Sequence, residues 1–415
     1  MVVEPKSPGQ VALAYRDFKS YLIARFCIVI ALEMQAVAVA WQVYEITRRP
    51  LDLGLIGLAQ FLPGFVLFLP AGHTVDRHNR RTVLIISYAT SALCSALLLM
   101  FSLYRTTSVY PIYAVVILLG STRAFAFPAS RALLPQLVPQ EHFSNAVAWH
   151  SSFFQAGTIL GPAVGGLLYA FFRGAPGVYA TAMVIAAVAA IATQRIKTKT
   201  AARSRAPVSL ANVLAGFRYI WSHKLILGSI SLDLFAVLLG GAVALLPVYA
   251  REILHTGPWG LGLLRSAPGV GAAAMAILIA HRPIKSNSGP IMLWCVAGFG
   301  VFTIIFGISH NLVLSLISLL LVGASDMVSV VIRAILVQLG TPDEVRGRVN
   351  AVDMLFIGAS NQLGEFESGL TAHWLGTAPA VVLGGVGTLV VIAIWAWAFP
   401  ELRRTDEVSA VENMQ

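Results

Sequence analysis

Polar positions along this chain are sparse and clustered, and between the clusters run apolar stretches of roughly twenty residues. That is the length a helix needs to cross a hydrocarbon layer about 30 Å thick. Twelve stretches can be drawn, at 20–43, 52–72, 83–104, 111–130, 146–172, 177–194, 225–250, 259–280, 290–309, 312–336, 350–375 and 379–399. Lipid offers no water to backbone N–H and C=O groups, so each stretch is predicted to be a helix. The expected fold is an all-α integral membrane protein with twelve transmembrane helices.

The stretches fall into two sets of six, and the sequence repeats at the same interval. Arg131-Ala-Leu-Leu-Pro-Gln-Leu returns as Arg333-Ala-Ile-Leu-Val-Gln-Leu, 202 residues later. Val43-Tyr44, Gly57, Pro63-Gly64 and Asn145-Ala146-Val147 match Val248-Tyr249, Gly262, Pro268-Gly269 and Asn350-Ala351-Val352 at an offset of 205. A long period means two homologous halves. The division expected is a six-helix half over 1–194, a polar linker over 195–224 and a second six-helix half over 225–415 with a short tail. Within the linker, Ser209 to Leu214 opens an amphipathic segment predicted to be a surface helix. Parallel repeats in a chain this apolar point to a transporter with its site between the halves.

Composition agrees with this and the charges add an orientation. The chain is 57% hydrophobic and 12% charged, against about 25% charged in soluble domains. Lys and Arg number 21 at the termini and even-numbered loops, with Arg333 at the end of its span counted among them, and five on the opposite side; Arg25, Arg123 and Arg265 lie deeper within spans. Cations stay on the cytoplasmic side, so both termini are expected there. The net charge of +10 then reflects membrane orientation, and no nucleic-acid partner is expected. Ala36-Val37-Ala38 looks like a cleavage site, but Glu33 interrupts the apolar core before it, so no cleaved leader is expected. Cys27, Cys94 and Cys295 sit within spans without metal-like spacing and read as structural thiols.

Two motifs carry a family signal. After span 2 come Gly72, Asp76, Arg77, Arg80 and Arg81; Gly72 would allow a tight helix exit, and Asp76 would sit at the positive N-terminus of span 3. On charge alone this is a positive-inside loop. Span 5 holds Gly157, Gly161, Pro162, Gly165 and Gly166, a smooth ridge for close helix contact with a proline that favours a bend. In pattern and position the two resemble the loop motif of the major facilitator superfamily and the antiporter motif of its drug exporters. The resemblance implies that Asp76 and its arginines latch the cytoplasmic ends of the halves, and it favours export. The second-half loop, Ala280 to Lys285, lacks the Asp and the double Arg, so the latch should be asymmetric. Thr341 to Val352, together with Asn361 to Gly369, resembles the bacterial subgroup that contains the enterobactin exporter and macrolide-efflux-like pumps. The Glu-x-Glu pair in span 11 departs from that exporter, so its cargo is not carried over.

Ionisable groups within spans are costly and mark transport paths or partners. Arg123 in span 4 has Asp326 as its repeat counterpart, and the resemblance ties an Arg at this place to proton coupling. In span 11, Glu365 and Glu367 point about 160° apart on a helix. Glu365 shares a stripe with Asn361 and Ser368; Glu367 shares one with Asp353, Ser360 and Thr371. One is expected to carry protons and the other to fix a helix contact, with Glu365 preferred for its hydrogen-bonding stripe. Glu33 and Asp233 are further candidates. For each of these groups the alternative is a structural ion pair or hydrogen bond between helices. Gln60, Arg265 and Asn361 are candidate cavity residues.

The chain has no phosphate loop for ATP and no protease or hydrolase motif, and no enzyme activity, cofactor or metal is expected. The reading is a multi-pass secondary transporter of the bacterial cytoplasmic membrane, acting as a monomer. It exchanges a small amphipathic molecule (a siderophore, drug or metabolite) for protons by alternating access. Facilitated import, or a receptor or enzyme role without transport, is the alternative. The charge asymmetry makes a direct forecast: His78→Cys, Lys199→Cys and Arg346→Cys should resist an impermeant thiol reagent in intact cells, while Arg105→Cys and Arg251→Cys label. Labelling at Lys199→Cys without lysis would overturn the orientation.

Overall fold

The computed structural model describes residues 8–198, 210–284 and 286–403. Lys6, Lys199, Lys285, Arg404 and the middle of the 195–224 linker lie outside them. Every regular element among the described residues is helical. Ten helices are long and apolar enough to cross a membrane, and a bent pair makes an eleventh span. The span-11 region forms a 33-residue helix that is long enough for a twelfth but carries too many polar groups to pass as one on composition.

The first compact unit takes in residues up to Thr47 and Leu62–Val208. It contains α1 (Arg16–Thr47), α3 (Phe68–Arg77), α4 (Arg80–Leu103), α5 (Tyr110–Leu133), α6 (Phe143–Phe171) and α7 (Ala175–Gln194). The second takes in Arg48–Phe61 and Ser209 onward. It contains the start of α2 (Pro50–Val66), then α8 (Leu210–Ser222), α9 (Lys224–Gly240), a single turn α10 (Leu246–Val248), α11 (Pro258–His281), α12 (Ser288–Ile308), α13 (Leu312–Leu339), α14 (Asp343–Leu375), α15 (Thr377–Ala398) and a terminal turn α16 (Pro400–Arg403).

The internal packing of the two units follows one scheme. In the first, α1 lies against α6 and α7, α4 against α5 and α7, and α3 against α5. In the second, α9 lies against α14 and α15, α12 against α13 and α15, and α11 against α13. Each pairing in one unit is the repeat counterpart of a pairing in the other. Small residues make the contacts close. A Cβ on Gly165 of α6 would stand 2.8 Å from Met34 Cα of α1, and one on Gly54 of α2 would stand 3.0 Å from the Phe366 carbonyl of α14.

Two expected helices are broken, and imino acids explain both breaks. Span 2 bends by 53° between α2 and α3. Pro70 has no N–H to give the Val66 carbonyl, so the ladder opens there. Gly72 lies inside α3 and makes no exit turn. Span 7 stops as an α-helix at Gly240, and Gly241 takes φ −75°, ψ 78°. A 3-10 turn over Ala242–Leu245, α10 and a π turn over Tyr249–Ile253 continue the span. Pro247 withholds the donor that Val243 would need for a continuous helix.

The end of the linker region from Leu210 is helical. α8 presents Leu214 and Trp221 outward and its inner face to α14, where Gly216 closes on the Arg348 carbonyl, and Tyr219 donates to the carbonyl of Gly340, just past the end of α13, at 2.9 Å. Pro342 caps the start of α14, and Asp343 and Glu344 occupy its first turn.

Substitution at the glycine ridge tests this packing. Gly165→Ala should cost about 1–3 kcal/mol, because Met34 backbone stands where its methyl must go. Gly358→Ala, where nothing lies within 4 Å, should leave the thermal midpoint of the purified protein unchanged or higher. Equal midpoints for the two variants would refute the close α1–α6 contact.

Candidate functional site

Ionised groups buried among apolar helices persist only where partners compensate them. In the second unit that happens around Arg333 of α13. Its side chain is 5% exposed and forms an ion pair with Asp233 of α9. Asp353 of α14 adds a second carboxylate, its Oδ1 3.9 Å from the same guanidinium nitrogen. Asp326 lies two turns before Arg333 on α13 and faces Asp233 across a small cavity. That cavity has a volume of about 10 Å³ and is lined by Asp233, Ala236 and Val237 of α9, Val296 and Phe299 of α12, and Asp326 and Ser329 of α13. Pockets for drug-sized ligands run to about 300–1,000 Å³, so this space is too small for such cargo. It suits water or a proton.

Two carboxylates thus meet one guanidinium, and a third, that of Asp326, faces them across the cavity. Removing one partner of such a buried pair costs about 3–5 kcal/mol. Arg333 is the cation that these carboxylates meet. The sequence reading named Asp233 and Asp326 but placed Arg333 among loop cations and used Asp353 only to mark a helix stripe. Arg333 instead lies buried, six residues before the end of α13. The available signal was the repeat itself, since Arg333 opens its clearest landmark.

In the first unit, Glu33 of α1 and Arg123 of α5 come together, Oε1 to Nη2, at 4.0 Å. The span-5 ridge explains how Glu33 is seated. Gly161 leaves room for it, since a Cβ there would stand 2.5 Å from Glu33 Cβ. Gly157 and Gly165 do the same for Val29 and Met34, and Pro162 and Gly166 are buried beside them. Other polar groups of α1 have neutral or hydroxyl partners. Gln35 accepts from Ser95 at 2.7 Å, Gln42 from Tyr179 at 2.7 Å, and Glu45 from Tyr169 at 2.8 Å.

The two glutamates of α14 do occupy different faces. Glu367 accepts from Thr371 at 2.7 Å, along the stripe expected for it. Glu365 lies against Gly57 of α2, whose Cβ would stand 2.8 Å from that of Glu365. The stripe expected to serve Glu365 is differently engaged. Ser368 uses its hydroxyl proton on the Gly241 carbonyl at 2.8 Å, and Asn361 donates to the Ile357 carbonyl at 2.7 Å. Gln60 and Arg265 are half-buried on α2 and α11.

The loop motif is seated differently from its sequence reading. Asp76 lies in the last turn of α3, not at the start of the next helix. Asn79 caps α4 instead, accepting from the Arg81 backbone at 3.0 Å. Arg77 is exposed and Arg80 is buried, and Arg81 donates to the Gln194 carbonyl at 2.5 Å. Asn takes the cap because its short amide reaches the first free N–H groups of the helix.

Comparison with known proteins fits this architecture. A family model described as a transmembrane secretion effector matches residues 10–414. The chain is similar to the enterobactin exporter EntS of Shigella boydii serotype 4 (strain Sb227), at 24% identity over 397 residues, covering 93% of this chain and 92% of the exporter. EntS of Escherichia coli O81 (strain ED1a) is likewise 24% identical over 394 residues, with the same coverage. Among solved structures, the nucleoside transporter NupG superposes with a TM-score of 0.74 at 11% identity, covering 92% of this chain and all of that one. A D-xylose–proton symporter superposes with a TM-score of 0.70 at 16% identity, covering 94% and 100%. The chain belongs to the transmembrane secretion effector family and is a multi-pass membrane transporter of the major facilitator superfamily.

Proposed function

We propose that this protein is a proton-coupled exporter of a small amphipathic molecule, working by alternating access in the bacterial inner membrane with both termini in the cytoplasm. The observation that carries the coupling is the excess of carboxylate around Arg333. One guanidinium balances one carboxylate, and the other two acids can take up protons to keep the buried charge near zero. A carrier of this kind needs a pocket that admits a proton and excludes cargo, and the cavity beside Asp326 has that size. Asp326 is therefore the first carrier candidate and Asp233 its partner, with Arg333 holding the charge balance and Asp353 sharing it. Glu33 with Arg123, and Glu365 and Glu367, supply further groups for the same cycle.

Export rather than uptake is supported by the ridge of Gly157, Gly161, Pro162, Gly165 and Gly166 and by the named activity of the relatives. Enterobactin, the cargo named for those relatives, is the first to test, with a macrolide as a second amphipathic probe.

The measurement is uptake into inverted proteoliposomes driven by a pH step, together with equilibrium binding of the same probe. Asp326→Asn should abolish accumulation against a gradient while binding stays within about twofold, because the lost group carries protons rather than cargo. Glu365→Gln and Glu367→Gln belong in the same series, and one of them is expected to reduce pH-driven accumulation while the other lowers stability. If all three variants concentrate the probe as the parent does, proton coupling through these acids is wrong. Asp76→Asn should slow transport without loss of insertion, since small free-energy differences set the populations of the transport states. Unchanged transport in a correctly inserted Asp76→Asn protein would reduce that motif to a topology signal.

A further inference from the structure

The repeat landmark that places Arg333 in its carboxylate cluster places Arg131 in a different setting. Arg131 lies near the end of α5 and is exposed. The charged or ionisable groups acting on it are Arg25 of α1 and Tyr21; those acting on His150 of α6 are Arg25 and Arg131. Among the described residues neither Arg25 nor Arg131 is ion-paired to a carboxylate. Two like charges are thus held within electrostatic reach of each other, an arrangement that raises free energy until an anion joins them.

The local sequence shows why these side chains converge. Tyr21 and Arg25, Phe127 and Arg131, and His150 and Phe154 are each spaced i, i+4, so each pair shares one helix face. Tyr21 fastens α1 to α5 by its hydroxyl, 2.7 Å from Ser130 Oγ, and stacks on His150 with ring centroids 5.6 Å apart. Arg25 lies near the Tyr88 hydroxyl and over the Phe154 ring at 5.3 Å. Its Nε is shut off from solvent with no hydrogen-bond partner. Arg131 lies over the Phe127 ring at 4.5 Å. Phe127 and Phe154 are themselves 43% and 40% exposed, so both cations are backed by aromatic surface open to a ligand.

We propose that Arg25, Arg131 and His150, walled by Tyr21, Phe127 and Phe154, form a binding site for the anionic group of an aromatic organic acid. The guanidinium groups take the carboxylate in charge-assisted hydrogen bonds, and the exposed phenyl faces take the ring of the same molecule. The site rests on the reading of the chain as an exporter of small amphipathic molecules and narrows that class to aromatic anions. It shares no residue with the groups assigned to protons, so the groups assigned to cargo and to protons are separate.

The test is equilibrium binding to the full-length protein in nanodiscs of phosphatidylcholine, with 2-naphthoate against its neutral amide, 2-naphthamide. Naphthoate should bind at least about tenfold more tightly, and Arg131→Gln or Arg25→Gln should remove that preference, as loss of one charge-assisted hydrogen bond is worth about tenfold or more. Arg131→Lys should keep part of the preference. Arg131 is exposed, so its variants report even if Arg25→Gln fails to fold. Equal binding of acid and amide, or an undiminished preference in Arg131→Gln, would overturn the proposal. So would competition by phosphatidylglycerol, added in equal parts, that abolishes naphthoate binding to the parent protein; the site would then serve a lipid headgroup. None of these readings needs a proton gradient, so failure here leaves the coupling result standing, and failure of Asp326→Asn to affect transport leaves this one standing.

Discussion

A guanidinium taken from water into a low-dielectric interior loses several kcal/mol of hydration, and only opposite charge or well-placed acceptors restore it. Arg333, at 5% exposure, is the clearest case, and much of the second unit is arranged around it. Helices α9, α13 and α14 each contribute one member of its ion-pair cluster. Their mutual packing therefore depends on polar contact as well as on apolar surface. The first unit meets the same requirement with a looser pair, Glu33 and Arg123, whose side chains are 21% and 41% exposed and therefore partly solvated.

The two units share helix pairings but not charges. Packing constrains size at each contact: a methyl group on Gly165 or Gly54 would strike backbone that cannot step aside. Charge is less constrained, because an ionisable group tolerates change wherever a partner changes with it. Duplication followed by such drift accounts for Arg131 and Arg333 holding the same place in the repeat, the first exposed beside a second arginine and the second buried beside two carboxylates.

The drift gives a physical basis for dividing labour within a transporter of this superfamily. A narrow, acid-rich space is suited to a proton, which needs little room and a change in charge balance. A pair of cations on aromatic surface, one of them exposed, is suited to a larger anion, which needs contact area as well as charge. Neither arrangement is dictated by the fold, since the same helix pairings carry both.

The twelve apolar stretches, their grouping into two sets of six and the helical class were legible from the sequence, because the lipid layer imposes a length and a hydrogen-bonding rule that leave few alternatives. So was the pattern of small residues on α6, and the opposed faces of Glu365 and Glu367, which follow from helix geometry alone. The breaks at Leu67 and Gly241 were missed although Pro70 and Pro247 were in view, since a proline only removes a bond and tertiary contacts decide whether the helix yields. The partners of the buried charges were beyond local reasoning: Arg333 meets Asp233 across 100 residues, and Tyr21 meets Ser130 across 109. Periodicity reports which face of a helix a side chain occupies, whereas the neighbour on that face is set by how whole helices pack. The sequence by itself therefore determined the elements and the charges they carry, and only the tertiary structure decided which charges are neutralised, because neutralisation depends on distances in space between residues far apart in the chain.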